Sequence, residues 1–368
     1  MILPSLTPEQ QLLILTSRKT FSEETIQNIR ELVQKPINWF EFAKYALYHK
    51  TLTLCWANIR NICPKVVPNQ YLIEVFNYIE FSIREQNKVY MSELERLQER
   101  FEQERIHAIP VKGAMFIPMI YGKTGTRYVS DLDFLIRYDD LERLGACLKE
   151  LGYIQGSYNP ELQVLEPISR IKELKWKVGM SNLYPYRRLT SNEKVPYLQL
   201  DFRFSLDDSL AKESVNEIID YSAAATNGAR NFAHLFTHLC THFFDEAKHT
   251  LTIWLGKDFN IIKLCDIRET VLTLMNEHDL TASIAFAKRY RLQNALYYTV
   301  YHLMMVYNDG YEEEFLQSCE IEDTDFLDTY SDRNSANNDK VFKKALKDRL
   351  FSCGNHDELD DLPQYLKF

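Results

Sequence analysis

The chain has 368 residues, of which 45% are hydrophobic and 26% are charged, the balance of a soluble globular protein with two or three domains. Its formal net charge of −9 argues against binding along a nucleic-acid backbone, so nucleic acid is not an expected partner. Seven cysteines form no CxxC pair and are odd in number, which favours reduced thiols over disulfides. The first residues lack a signal-peptide pattern, and no apolar run reaches the roughly 18 residues of a membrane span. We therefore expect a cytoplasmic protein without a membrane partner.

Residues 1–88 are predicted to form an N-terminal helical domain. Thr7 is followed three residues later by Gln10, which together give the signature of a capping box. Further on, the stretch NWFEFAKYALYHKTLTLCWANIR carries apolar residues at helical spacing. The charged segment FSIREQNKVYMSELERLQERFEQERIH places Leu94 and Leu97 on one stripe, which predicts a long and partly exposed helix leading into the next domain.

Residues 89–206 are predicted to form an α/β core. A short β-type run in AIPVKGAMF ends in a glycine, and TRYVSDLDFLIRY is a second run rich in β-branched and aromatic residues. The segment DDLERLGACLKELGY predicts a helix that Asp139 or Asp140 caps and that Gly152 ends. After a polar passage, VPYLQLDFRFSL alternates as a further strand does.

The remainder of the chain is predicted to be helical again. Residues 207–308 form the C-terminal helical domain on this interpretation, and residues 309–368 form an acidic, weakly periodic tail. The predicted fold class is therefore α+β, with a small mixed β-sheet flanked by N- and C-terminal helical domains.

Asp131 and Asp133 give the first indication of chemistry. Residues two apart on a strand point to the same face, so both carboxylates lie on one side while Leu132 and Phe134 pack on the other. Two carboxylates so close repel each other unless a cation neutralises them. Magnesium is commonly held by one or two carboxylates together with substrate phosphates. This pair therefore favours phosphoryl or nucleotidyl transfer.

A D-x-D triplet alone is weak evidence, because an aspartate-rich chain is expected to contain one by chance. A second triplet, Asp323 and Asp325, lies in an acidic stretch without a strand signal or an upstream glycine. We interpret that second triplet as a solvated run of charge.

The residues around the first triplet strengthen the interpretation. Lys112 and Gly113 end the preceding strand, where a position without a side chain lets backbone N–H groups approach a phosphate. Lys112 adds a positive charge, and Arg127 precedes the pair with a guanidinium that suits a phosphate. On the later strand, period-2 alternation sends Asp201 to the face opposite its apolar neighbours. If that strand lies beside the first triplet, Asp201 completes a three-carboxylate site.

With these motifs the chain resembles nucleotidyltransferases of the DNA polymerase β type. It is more closely similar to the uncharacterised bacterial nucleotidyltransferase family, which reads KGxx, then R-x-x-SD-h-D, then hD on a later strand. The similarity covers mainly residues 109–206. Two departures concern the phosphate and acceptor sides: Ala114 stands where the wider superfamily usually has serine, and Phe202 and Arg203 follow the third carboxylate where the closer family often has histidine.

The resemblance implies transfer of a nucleoside monophosphate from an NTP, dependent on Mg²⁺ or Mn²⁺. It implies that the metal ligands and catalytic residues are Asp131, Asp133 and Asp201, and that the nucleotide contacts are Lys112, Gly113, Arg127 and Ser130. The acceptor is not indicated, although a net-acidic chain favours a small molecule, sugar or protein side chain. Family membership suggests a role in natural-product or polysaccharide biosynthesis.

Two other functions stay open at the level of sequence. One is a catalytically inactive nucleotidyltransferase fold that acts as a regulatory or antitoxin-like binding protein. The other is a zinc hydrolase built on His234, His238 and His242, which share one helix stripe at i, i+4 and i+8. The HExxH pattern is absent and no further zinc ligands are evident, so we expect that this helix packs structurally and holds no zinc.

Overall fold

A computed structural model of the chain describes residues 3–66, 68–122, 125–207, 211–224, 232–331 and 339–359. The described residues contain sixteen α-helices, a six-stranded mixed sheet and a separate pair of short strands, which agrees with the predicted α+β class. The chain divides into two compact units, one of residues 78–231 and one of residues 1–77 with 232–368. The boundaries of the four regions expected from the sequence stay a prediction.

The unit of residues 78–231 contains the six-stranded sheet and the helices around it. Its strands are β1 Ala108–Val111, β2 Leu132–Ile136, β3 Ile154–Asn159, β4 Val164–Pro167, β5 Tyr186–Leu189 and β6 Tyr197–Arg203. Its helices are α5 Gln70–Gln103, which begins in the other unit, and α6 Gly113–Phe116, α7 Leu141–Glu150, α8 Arg170–Gly179 and α9 Glu213–Ala224. A π-helical turn, Ile117–Tyr121, follows α6, and a 3-10 turn, Tyr138–Asp140, precedes α7.

The strands of this sheet are ordered β1-β2-β6-β5-β3-β4. Strands β2 and β6 run parallel, and the other neighbouring pairs are antiparallel. One face of the central strands packs on α5 and α7 because their alternate residues are apolar. Phe134 of β2 and Phe202 of β6 stack with ring centroids 5.1 Å apart, and Phe101 of α5 meets both rings edge-on. The opposite face of β2 and β6 is therefore the one that can carry polar groups.

Helices α5 and α7 form largely as predicted. Leu94 and Leu97 of α5 are buried against the sheet, which confirms the long helix and its apolar stripe. Asp140 occupies the N-cap position of α7, one of the two expected, but its side chain makes no capping bond to the helix. The carboxylate instead accepts hydrogen bonds from the backbone N–H of His107, at 2.7 Å, and from its ring, at 2.8 Å. Gly152 ends the helix with a φ of +82°, a conformation that glycine adopts at no steric cost.

The other unit is mainly helical. Its helices are α1 Pro8–Thr16, α2 Glu23–Leu32, α3 Trp39–Tyr48, α4 Leu52–Ile62, α10 Phe232–Lys248, α11 Thr250–Trp254, α12 Ile261–Leu274, α13 Glu277–Tyr290, α14 Gln293–Val306, α15 Glu312–Ser318 and α16 Leu346–Phe351. The short strands β7 Thr329–Tyr330 and β8 Lys340–Val341 pair antiparallel. The capping box of Thr7 and Gln10 at the start of α1 is confirmed.

Part of the expected acidic tail is folded. Tyr330 and Phe342 are buried together with Ile253 of α11, so the segment after residue 309 contributes to the core of its own unit. All seven cysteines are free thiols. Within the described residues, no helix combines the length and apolar character that crossing a bilayer requires.

Candidate active site

Three carboxylates meet beside the central strand pair, near the amino-terminal end of β2. Asp133 of β2 lies directly opposite Asp201 of β6 in the parallel register, and Asp131 lies one residue before β2 begins. Each of the three offers one oxygen, and these oxygens all lie within 4.8 Å of one another. In the described part of the chain, this is the one group of three or more His, Cys, Asp and Glu side chains arranged closely enough to share an ion. The sequence expectation that Asp201 joins the pair is thus met in geometry.

The three donors are all carboxylate oxygens, the hard ligands that Mg²⁺ and Mn²⁺ prefer. None of the three carries the nitrogen or sulfur ligands that are typical of zinc. The residues present therefore fit a divalent cation of the magnesium type.

The approach to this cluster begins at a strained residue. Lys112 follows β1 with a φ of +53° and a ψ of −133°, a backbone conformation that residues with a Cβ rarely adopt. Its ammonium lies 2.7 Å from Oδ1 of Asp133 in a partly buried ion pair. The positive charge of Lys112 therefore compensates the negative charge of Asp133. Lys112 is also one of the residues that the resemblance implies as nucleotide contacts.

Gly113 follows Lys112 at the start of α6, and it is tightly enclosed. A Cβ at this position would lie 3.1 Å from Cγ2 of Val129 and 4.0 Å from a guanidinium nitrogen of Arg127. The first distance is shorter than ordinary van der Waals contact, so a larger residue would displace the loop that carries Arg127. The glycine thus brings the turn after β1 close to the segment before Asp131.

That segment is held by side chains of α5. Gly125 lets it lie against the helix, because a Cβ there would fall 2.1 Å from the backbone oxygen of Glu80. Three hydrogen bonds of 2.6 Å, 2.8 Å and 2.6 Å then fix its carbonyl groups, from Gln86 to Val129, from Asn87 to Arg127 and from Tyr90 to Ser130. The backbone that presents Asp131 is therefore positioned by specific polar contacts as well as by the sheet.

The other two implied nucleotide contacts lie on this segment. The guanidinium of Arg127 donates to the carbonyl oxygen of Tyr128. The hydroxyl of Ser130 is exposed and lies 3.2 Å from Oδ1 of Asp131, to which it donates. Ser130 thus borders the carboxylate cluster, and the nucleotide-binding roles of both residues stay a prediction.

The environment of Asp201 makes it a weaker acid than an ordinary aspartate. Burial raises the pKa of Asp201 above its ordinary value, and the negative charge of Asp133 raises it further. A hydrogen bond of 2.8 Å from Gln199 and the positive charges of Lys112 and Arg187 lower the pKa without cancelling the rise. An acid near a second carboxylate that binds its proton unusually tightly is suited to accept a proton in a reaction.

Two residues near Asp201 were missed from the sequence. Gln199 donates to Asp201, and Arg187 of β5 donates to Gln199 at 3.0 Å and 2.7 Å. Gln199 could have been noticed, because it lies two residues before Asp201 on the same strand face. Arg187 gave no signal, since β5 itself was not predicted.

The histidine stripe and the second D-x-D triplet lie in the other unit. His234 packs on the ring of Phe286 with centroids 4.1 Å apart, and Nε2 of His242 lies 3.1 Å from a carboxylate oxygen of Glu246. His238 and His242 have their ring centroids 6.4 Å apart. These contacts are those of side chains packed along α10 and against α13, and the absence of zinc stays a prediction.

Comparison with protein families decides the activity. A family model described as an uncharacterised nucleotidyltransferase matches residues 35–308, about three quarters of the chain. The chain belongs to this family. No curated protein and no solved structure is significantly similar to it. The nucleotidyltransferase activity implied by the sequence motifs is thereby confirmed, while placement in the wider DNA polymerase β-type superfamily stays a prediction.

Proposed function

We propose that the enzyme transfers a nucleoside monophosphate from an NTP to an acceptor hydroxyl at the Asp131, Asp133 and Asp201 cluster. The observation that carries the proposal is the convergence of these three carboxylates, with oxygens within 4.8 Å of one another, in a member of a nucleotidyltransferase family. Mg²⁺ or Mn²⁺ at this cluster would bind the triphosphate and neutralise the charge that develops during transfer. The acceptor oxygen bonds to the α-phosphorus, the bond from that phosphorus to the bridging oxygen breaks, and pyrophosphate leaves.

The three carboxylates have different roles in this proposal. Asp131 and Asp133 hold the cation that accompanies the triphosphate. Asp201 would complete, with this pair, the site of the cation that activates the acceptor, and it would help take the proton of the acceptor hydroxyl, a role that its raised pKa supports. The register of β2 and β6 supports this division, because it sets Asp201 beside Asp133 without placing it on the nucleotide-binding segment.

The nucleotide would lie along the segments after β1 and before β2. Gly113 allows close approach of the triphosphate to the backbone, and Arg127 and Ser130 provide side-chain contacts. In this structure Lys112 forms an ion pair with Asp133. If a divalent cation were bound to that carboxylate, the Lys112 ammonium would be available to pair with a phosphate.

The acceptor in this proposal is a small molecule, a sugar or a protein side chain, because the net charge of −9 disfavours a nucleic acid. The seven free thiols support a reducing compartment, and we place the enzyme in the cytoplasm. Natural-product or polysaccharide biosynthesis is the metabolic setting that family resemblance suggests.

The test is a screen of the purified enzyme with each of the four NTPs and Mg²⁺ or Mn²⁺. Release of pyrophosphate and covalent labelling from α-³²P-NTP are measured with and without fractionated metabolite pools as acceptor. We expect metal-dependent pyrophosphate release with at least one NTP, and its loss in Asp133→Asn. No binding of any NTP in the presence of metal would contradict the proposal.

The same screen distinguishes the inactive alternative. A protein that binds Mg-NTP tightly but releases no pyrophosphate with any acceptor pool would be a regulatory or antitoxin-like binding protein. The presence of all three carboxylates favours the catalytic function, since a fold that only senses a nucleotide has no use for a proton acceptor at the third position.

A further inference from the structure

A chain of hydrogen bonds runs sideways across the sheet and ends on Asp201. Nε2 of Gln199 donates to Oδ2 of Asp201 at 2.8 Å. Nε and one terminal nitrogen of Arg187 donate to Oε1 of Gln199 at 3.0 Å and 2.7 Å. The remaining terminal nitrogen of Arg187 donates to the carbonyl oxygen of Gly156 on β3. Three neighbouring strands are thus joined by polar groups that lead to one carboxylate.

The strand register produces this alignment. Gln199 and Asp201 are two residues apart on β6 and therefore share a face. Arg187 lies directly opposite Gln199 in the antiparallel pairing of β5 with β6. Its guanidinium also lies 6.0 Å from the ring centroid of Tyr197, which precedes Gln199 on the same face. The pairing of the strand backbones consequently places these side chains next to one another, independently of the contacts that the side chains make.

The direction of these hydrogen bonds is fixed by which groups can donate and which can accept. Arginine only donates hydrogen bonds, so the atom of Gln199 that faces Arg187 must be the amide oxygen. The amide nitrogen of Gln199 then has to face Asp201, whose ionised carboxylate only accepts. A glutamine bound to Asp201 alone could turn its amide by 180° and present an oxygen to the carboxylate. Arg187 removes that alternative.

We infer that Gln199 and Arg187 are positioning residues, which hold the Asp201 carboxylate in the orientation in which it joins Asp131 and Asp133 around a divalent cation. The inference rests on the proposed function and extends it to two residues that touch neither substrate nor metal. With Oδ2 engaged by Gln199, rotation of the carboxylate is restricted and its other lone pairs are left for the cluster. Loss of such a contact to a metal ligand typically weakens metal affinity by about 10- to 100-fold.

The test is the affinity of the full-length, metal-free protein for Mn²⁺ alone, measured by electron paramagnetic resonance without nucleotide. Gln199→Met keeps the length of the side chain and removes both amide groups. We expect Mn²⁺ to bind about 10-fold more weakly to it than to the wild type. Gln155→Met is the matched control: it removes a 3.0 Å hydrogen bond to the carbonyl oxygen of Tyr184 in the same sheet and should leave Mn²⁺ affinity unchanged.

Arg187 provides a second and independent variant. Arg187→Met frees the amide of Gln199 to turn, so we expect a weaker affinity, whereas Arg187→Lys keeps one donor for Oε1 and should recover most of it. This pair keeps the inference testable if Gln199→Met fails to fold, which its melting temperature reveals.

A double-mutant cycle separates positioning from a general structural effect. If Gln199 acts through Asp201, then Gln199→Met should cause no further loss of Mn²⁺ affinity in an Asp201→Asn background. A loss that persists in that background, wild-type affinity in Gln199→Met, or no Mn²⁺ binding by the wild type would each overturn the inference. Failure of the proposed function looks different: Mn²⁺ binds as expected and responds to Gln199→Met, but no NTP yields pyrophosphate.

Discussion

The two D-x-D triplets of this chain have the same spacing and different structures. Asp131 precedes the buried strand β2 and Asp133 lies within it, and the sheet pairs Asp133 with a third carboxylate, Asp201. Asp323 and Asp325 lie at the start of a 3-10 turn, are exposed, and bond locally: the backbone N–H of Asp325 donates to Oδ1 of Asp323 at 2.9 Å. Local bonding of this kind is the ordinary behaviour of aspartate in a turn.

The second triplet also borders an open cleft of about 590 Å³, lined by further acidic residues that include Glu322 and Asp339. Neither the spacing nor the neighbouring cavity therefore distinguishes a site from a solvated run of charge. The difference lies in what holds the carboxylates. The first pair is fixed by strand register and by a loop anchored on α5, so its charges stay together despite their repulsion.

The largest expected effect compares the two triplets directly. Asp131→Asn or Asp133→Asn should lower NTP turnover by at least about 10³-fold, because each removes a carboxylate that would hold the metal ion of the triphosphate. Asp323→Asn and Asp325→Asn are the matched controls and should stay within about twofold of the wild type, as surface changes do. Steady-state pyrophosphate release measures all four. Wild-type turnover in either of the first two variants would remove that residue from the site.

The second prediction distinguishes the role of Asp201 from the roles of Asp131 and Asp133 within the carboxylate cluster. Asp201→Asn should lower kcat by at least about 10²-fold, the scale for losing a general base, while KM for the NTP changes little. The reason is that Asp201 would complete the site of the cation that activates the acceptor, whereas triphosphate binding rests mainly on the cation held by Asp131 and Asp133 and on Gly113. Full kinetics at saturating acceptor, with Mg-NTP binding by calorimetry, separate the two constants. An equal loss of nucleotide affinity would show that Asp201 is needed to bind the triphosphate and does not act mainly on the acceptor.

The convergence of the carboxylates could be predicted because it depends on local periodicity. Alternation in β6 sends Leu198 and Leu200 to the core and Asp201 to the opposite face, and the burial pattern of the strand agrees. To place Asp201 beside Asp133, the prediction then needed only the pairing of β2 with β6.

The support around the site could not be predicted in the same way. Strands β3, β4 and β5 were not expected, because β3 and β4 are largely solvent-facing and lack a clear apolar alternation. Without β5, the contact of Arg187 with Gln199 had no basis in sequence, since it depends on which strands pair and in which register. The ion pair of Lys112 with Asp133 likewise depends on a positive φ that a lysine rarely adopts.

A smaller effect is expected at Gly113, a feature that the second triplet lacks. Gly113→Ala places a Cβ 3.1 Å from Cγ2 of Val129 and should raise KM for the NTP about fivefold, the effect of about 1 kcal/mol of lost binding. Adding Val129→Ala removes the clashing methyl group and should restore part of the affinity. Gly145→Ala is the control, because its Cβ meets only the Tyr186 hydroxyl at 3.6 Å. Unchanged KM in Gly113→Ala would mean that the triphosphate does not approach this turn.

The smallest expected effect is on stability, and it follows from the different burial of Asp201 and of the exposed second triplet. Burial and the charge of Asp133 raise the pKa of Asp201 in the folded protein, so the folded state keeps this proton to a higher pH than the unfolded chain does. The stabilisation from that proton is full below the unfolded pKa, about 3.9, and is lost as the pH rises through the folded pKa. Asp201→Asn carries no charge at any pH and escapes the loss.

In EDTA at pH 7 we therefore expect Asp201→Asn to melt higher than the wild type, by an amount on the order of 2 °C, and the difference to narrow as the pH approaches 4. Asp325→Asn should melt with the wild type at every pH, because the side chain is exposed and surface substitutions change stability little. Differential scanning calorimetry from pH 4 to pH 7 measures both. A constant difference across that range, or a lower melting temperature of Asp201→Asn at pH 7, would show that the folded protein does not strain this carboxylate. The difference between Asp201, which the sheet holds in place, and the solvated Asp325 would then be supported only by the positions of their carboxylates.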